Sequence, residues 1–247
     1  YGSLSGSYAG VWDTRGPSFH IDSKVERLNI HQGNVKDMKV AMTYETGKLD
    51  VMATVENEQM QGGVLLAYDL SDSLNFLRTR GQLRIDELAA FGLDIKGGQE
   101  ALETSFEIIH AGQENKSFTN LSLTDFKYTC DTATFTIDKI SMEDNQKGDH
   151  NTTTLKSDVV DLFISGNFRE LRPAPFVFRL MQNYLPAYSV HQPKKTRKYP
   201  KRKEPEKFDF QYTVQVKDAG RILQVLYPDL YIASGTLITS DYRNETG

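Results

Sequence analysis

Val35-Lys36-Asp37-Met38-Lys39-Val40-Ala41-Met42-Thr43-Tyr44, the link Glu45-Thr46-Gly47-Lys48, and Leu49-Asp50-Val51-Met52-Ala53-Thr54-Val55-Glu56 form the stretch that decides the fold. Met38, Val40, Met42 and Tyr44 alternate with Lys39, Ala41 and Thr43. After the turn, Leu49, Val51, Ala53 and Val55 alternate with Asp50, Met52, Thr54 and Glu56. Successive side chains of a strand point to opposite faces, so a period of two sorts apolar and polar residues onto different faces. Two such runs around a short glycine-containing turn predict an antiparallel hairpin.

The same rhythm runs outward in both directions. Met60, Val64, Leu66, Tyr68 and Leu70 share a phase, as do Leu83 with Ile85 and Phe106 with Ile108. Leu121 and Leu123, Phe126 and Tyr128, Phe135 and Ile137, and Leu162, Ile164 and Phe168 continue it. Phe208, Phe210, Tyr212, Val214 and Val216 repeat it near the end. The spacing predicts roughly a dozen short strands separated by polar turns. Two segments read as helical. One is 174–188, where Phe176, Leu180, Tyr184 and Tyr188 recur every fourth residue behind Pro173 and Pro175. The other is 218–227, with Asp218 as N-cap and Pro228 as terminator. The expected fold class is therefore all-β: an elongated, curled antiparallel sheet of groove-like form with two short helices.

The chain has 247 residues, a net charge of −4 and 38% hydrophobic residues. That hydrophobic share suits a thin architecture in which much of each element stays wet. Residues 194–207 carry eight Lys or Arg against Glu204 and Glu206, a local charge of +6, which leaves −10 on the remainder. Pro193, Pro200 and Pro205 interrupt this basic run, and it reads as a mobile, solvated loop. The chain thus divides into three sections: groove strands and a short amphipathic helix over 1–190, the basic loop over 191–207, and renewed groove strands with a short helix over 208–247. The basic loop lacks the aromatic interleaving of a nucleic-acid surface, so no nucleic acid is expected. Tyr1 is not a methionine and the chain stops in mid-pattern, which reads as a piece of a longer protein.

Catalytic signatures are missing. Cys130 is the lone cysteine, which rules out an intrachain disulfide and a thiolate zinc site. His20, His31, His110, His150 and His191 sit in no metal-ligand spacing. Asp144-Asn145…Gly148-Asp149 lacks the spacing of a calcium loop and reads as a hairpin turn. Gly62-Gly63 and Gly97-Gly98 are expected to mark turns or bulges. The expectation is a protein without catalysis, metal or cofactor.

What remains is a supply of apolar residues on one strand face. In a sandwich two such faces bury each other; in an open, curled sheet one face lines a groove. Flexible methionines such as Met38 and Met42 suit a surface that accepts variable ligands. The candidate groove residues are Met38, Val40, Met42, Leu49, Val51, Val55, Val64, Leu66, Phe135, Ile137, Leu162 and Ile164.

Leu155-Lys156-Ser157-Asp158-Val159-Val160-Asp161-Leu162-Phe163-Ile164-Ser165-Gly166-Asn167-Phe168 resembles the Leu-x-Ser and Ile-x-Gly-x-Phe strand pair of the Bacteroidetes-type TamB proteins. The proline-flanked helix over 176–188, the charged insertion, Phe208-Asp209-Phe210-Gln211-Tyr212-Thr213-Val214 and the segment 226–237 are similar to the next elements of that family. The likeness is clearest over 120–247. It implies membership of the TamB/AsmA-like translocation and assembly module family, whose repeats form a long curled sheet with an apolar trough. On that footing the chain is an interior section of an inner-membrane-anchored, periplasm-crossing protein of the bacterial envelope, anchored through regions outside it. Its expected partners are phospholipid acyl chains and the outer-membrane assembly machinery. Two rivals stand beside this: a scaffold or chaperone that engages outer-membrane strands by β-augmentation, and a closed β-sandwich adhesin or glycan-binding module.

Overall fold

A computed structural model describes residues 2–13, 16–70, 75–93, 98–113, 115–131, 133–167, 209–220, 223 and 231–243. The described residues form one antiparallel sheet of 13 strands whose order in space is their order in sequence. The strands are β1 (Gly2–Asp13), β2 (Gly16–Ile30), β3 (Gly33–Glu45), β4 (Lys48–Glu56), β5 (Met60–Asp69) and β6 (Asn75–Ile85). After a short 3-10 turn at Ala89–Phe91 come β7 (Glu100–Gln113), β8 (Lys116–Cys130), β9 (Ala133–Lys147), β10 (His150–Ser157) and β11 (Val160–Asn167). β12 (Asp209–Val216) and β13 (Leu237–Arg243) complete the sheet.

Each hairpin arises from local chemistry. At the β3–β4 tip Thr46 has φ 49° and Gly47 φ 83°, the left-handed pair that matches the right-handed twist of the flanking strands. Gly148, at φ 61°, closes the β9–β10 hairpin where Asp144–Asp149 was expected to turn. Gly62 and Gly63, expected at a turn or bulge, lie instead inside β5. A side chain at Gly62 would drive its Cβ into the Gln82 carbonyl oxygen, so the glycine permits close approach of β6.

Alternation slips at defined points. Val35 and Met38 both face the apolar side although they are three residues apart, because Asp37 between them sits at φ 56°. Asp125, at φ 54°, does the same between Leu123 and Phe126. A left-handed residue consumes one position of the pleat and sharpens the local bend. With such kinks, and with more strands than a flat twisted sheet sustains, the sheet is open and curled; β1 and β13 do not pair.

One end of the strands is sealed by the β6–β7 connection. Leu88 N–H donates to the Glu100 carbonyl (2.9 Å), and Gln32 N–H donates to the Ala90 carbonyl (3.0 Å), so the connection reaches back to the start of β3. There the Phe91 ring covers Gly33, where a Cβ would lie 2.6 Å from the ring. Leu88, Ala90 and Phe91 pack with Val35, Ile85, Tyr128, Cys130, Phe135, Ile137 and Val159 into the main core. A second, smaller cluster gathers Ile164, Phe210 and Tyr212.

The extensive strand contacts all run between sheet neighbours, the plug formed by Leu88, Ala90 and Phe91 bridges more distant strands at one end, and no second sheet covers either face among the described residues. A closed sandwich is therefore not the architecture of this part of the chain. The helix expected over 174–188 and the basic run 194–207 lie outside the described residues. Of 218–227 the structure describes 218–220 and 223, where Leu223 N–H donates to the Ala219 carbonyl at 3.0 Å in an α-type bond.

Candidate functional site

Directly opposed residues of an antiparallel pair share a face, so the register can be traced across the whole sheet. Starting from β2 it links Ile21, Met42, Val51, Leu66, Thr79 and Ile108. It continues through Leu121, Met142, Leu155, Leu162, Val214 and Ile238 on β13. Thr79 is the single polar member of this row. One step toward the sealed end, a parallel row holds Val40, Ala53, Val64, Gly81, Phe106, Leu123 and Ile140. This apolar side is called the inner face.

Burial divides the inner face in two. At the sealed end Val35, Ile85, Leu88 and Tyr128 are at most 3% exposed. In the long row, every residue from Ile21 to Val214 is half-buried and Ile238 is 42% exposed; none is fully covered. Neighbouring side chains screen these residues partly, and nothing among the described residues lies on top of them. The result is an apolar band, walled at one strand end by the plug and, among the described residues, open at the other over β3–β6, while the second cluster closes that end at β11–β12.

The twelve candidate groove residues fall on this one face, at different depths. Val40, Met42, Leu49, Val51, Val64 and Leu66 lie half-buried in the open band. Met38 and Val55 are half-buried against the edge of the main core, and Leu162 packs beside the second cluster while still half-buried. Phe135, Ile137 and Ile164 are corrected: they are 7%, 4% and 2% exposed, and fill the protein's own core instead of lining an open surface. Phe135 is held there by the rings of Tyr128 and Phe126, at centroid distances of 5.3 and 6.0 Å.

Sequence reasoning missed Ile108, Leu121, Met142, Leu155 and Val214 as groove residues, although each sits in an alternating run; register across the sheet is what joins them. It also missed the plug at Leu88–Phe91, whose signal was an apolar run without period two.

The charge distribution is as lopsided as the hydrophobicity. No Lys or Arg occupies an inner-face position of the described strands. The outer face carries ion pairs such as Arg78–Glu107 (2.6 Å) and Lys217–Asp161 (2.7 Å). At the bend of β3, the Lys24 ammonium 2.6 Å from Asp37 holds that carboxyl below its ordinary range. Inside the sealed core, burial raises the Tyr128 phenol well above its ordinary value, helped by the nearby Glu100 carboxylate.

No group of three or more His, Cys, Asp or Glu among the described residues is placed to hold a metal ion. No helix of the described residues is long and apolar enough to cross a membrane. The arrangement offers a strip of apolar surface, one side chain per strand and about 4.8 Å per step, with nothing among the described residues laid over it. No protein-family profile, no curated protein and no solved structure matches the chain.

Proposed function

We propose that the chain is a section of a bridge-like lipid carrier that shields phospholipid acyl chains on its inner face and conducts them across the strands. The observation that carries this reading is the row from Ile21 to Ile238, apolar at every strand but Thr79 on β6, with no residue fully covered and no second layer over it among the described residues. Holding an acyl chain in water costs ~0.8 kcal/mol per CH₂, on the order of 10 kcal/mol for a whole tail. A continuous apolar strip removes much of that cost at every step and asks for no covalent chemistry. A soluble protein seldom leaves so extended an apolar surface without an occupant. The TamB/AsmA-like resemblance points the same way and adds a setting: the periplasm of a bacterial envelope, with outer-membrane biogenesis as the process served.

A second reading keeps one supporting observation. Residues 133–139 of β9 pair with β8 alone, because β10 pairs only with 140–147. That edge, unpaired on its second side among the described residues, fits an added strand, as a scaffold for outer-membrane proteins would need.

Lipid extraction decides between them. The purified chain is extracted with organic solvent and the extract is read by mass spectrometry, for the wild type and for Leu66→Arg, Leu121→Arg and Leu65→Arg. Leu66 and Leu121 are in the inner row, whereas Leu65 is on the outer face and 42% exposed. Phospholipid should accompany the wild type and Leu65→Arg, and be depleted from the two inner variants. A wild-type extract free of lipid, or equal loss from all three variants, refutes the groove.

A further inference from the structure

The inner face is not apolar everywhere. At the level next to the long row, on the open side, the register reads Tyr44, Leu49, Tyr68 and Leu77 across β3–β6. It then changes to His110, Thr119, Asp144 and Thr153 across β7–β10, and returns to Ile164 on β11. These four polar side chains are half-buried and joined in pairs. His110 Nδ1 and Thr119 Oγ1 share a hydrogen bond of 2.8 Å, and Thr153 Oγ1 donates to Asp144 Oδ1 at 2.5 Å. The second oxygen of Asp144 has no donor among the described residues.

Asp144 and Glu100 are the only carboxylates on the inner face of the described strands, and Glu100 is 1% exposed beneath the plug. With no Lys or Arg on that face of the described strands, the half-buried Asp144 carboxylate has no cationic side chain beside it among the described residues. A carboxylate placed so leaves one oxygen for a cation arriving along the groove. Two residues along the same strand, about 6.7 Å away, lies Met142 of the apolar row, opposite Leu121.

We propose that Asp144, with Thr119, Thr153 and His110 around it, is a headgroup station that takes the protonated amine of an ethanolamine-type phospholipid whose tail lies on the adjacent apolar row. The inference rests on the lipid reading above and adds its selectivity. The Asp144 carboxylate accepts from the ammonium, while the threonine hydroxyls and the imidazole offer the remaining polar contacts. A headgroup that is anionic and has no amine meets a like charge with no compensating cation, which discriminates against it.

The test uses the full chain incubated with vesicles of equal phosphoethanolamine and phosphoglycerol lipid, identical in acyl composition. The protein is then re-isolated and its bound lipid quantified by mass spectrometry. Wild type should hold the amine-bearing lipid in roughly five- to tenfold excess, the range for a charge-assisted contact in a half-solvated site. Asp144→Asn, nearly isosteric and still able to accept from Thr153, should bring the ratio close to one without lowering total lipid. Asp50→Asn, on the exposed outer face, should leave the excess intact. Lipid bound without preference by the wild type, or a preference that survives Asp144→Asn, overturns the station and leaves the groove standing. A wild type that binds neither lipid overturns both.

Discussion

Leu88→Ala and Leu121→Ala remove the same atoms from two parts of the inner face, and they should behave differently. Leu88 is 2% exposed in the plug, packed in the main core. Truncating a fully buried leucine loses its transfer energy and leaves a cavity, typically ~2–5 kcal/mol. Leu121 lies in the open row and is only half-buried. Full burial of a leucine side chain is worth ~1.5–3 kcal/mol, so half of it amounts to about 1 kcal/mol, and no enclosed cavity forms. With a urea m-value of ~2.5 kcal/mol/M, the midpoint should fall by ~0.4 M for Leu121→Ala and ~1–2 M for Leu88→Ala. Urea unfolding of lipid-free protein, monitored by far-UV circular dichroism, measures both. Equal shifts would mean that the central row is as tightly self-packed as the plug. The open band, and the carrier reading built on it, would then fail.

Three further outcomes are expected. Gly33→Val would drive a side chain into Phe91, whose ring is 2.6 Å from the implied Cβ. The cost should be ~1–3 kcal/mol, with faster hydrogen exchange at the Gln32 amide that bonds Ala90. The Tyr128 phenol is raised by burial first and by Glu100 second, so the folded chain keeps it neutral at a pH where the unfolded chain ionises it. Stability should therefore be intact below pH ~10 and decline as pH rises above it, and Tyr128→Phe should flatten that decline in urea midpoints taken between pH ~8 and ~11. Asp37→Asn removes an exposed ion pair with Lys24. The pair lowers the Asp37 pKa, so its small contribution is present above the ordinary carboxylate range and is lost only as pH falls below the lowered pKa; the variant should fall slightly below the wild type in melting temperature at pH ~7 and match it at pH ~2.

Much of the fold was written in the period of two. The hairpin at 35–56 occurs in the expected register, and all twelve candidate residues share a face. Depth was not legible. Phe135 and Ile137 alternate just as Val51 and Val55 do, yet the first pair is covered by a connection that enters from β6–β7. Alternation tells which way a side chain points, and only long-range packing tells what it meets. The kinks at Asp37 and Asp125 were also hidden, because a left-handed aspartate costs little and looks in sequence like an ordinary polar residue. The station around Asp144 left a subtler trace: Met142, Asp144 and Gln146 keep their phase while their chemistry changes. Such a change reads as a turn approaching until the register shows its neighbours doing the same.

A sheet whose spatial order repeats its sequence order has a length that is free to vary. Each added hairpin docks on the one before and asks nothing of strands further away, so extension by two strands adds about 9.6 Å of strip without redesigning what exists. Energetically the array resembles a row of dominoes more than a globule: stability accrues between neighbours, and loss starts at a free margin and moves inward. Reach, in such a molecule, is a matter of counting hairpins.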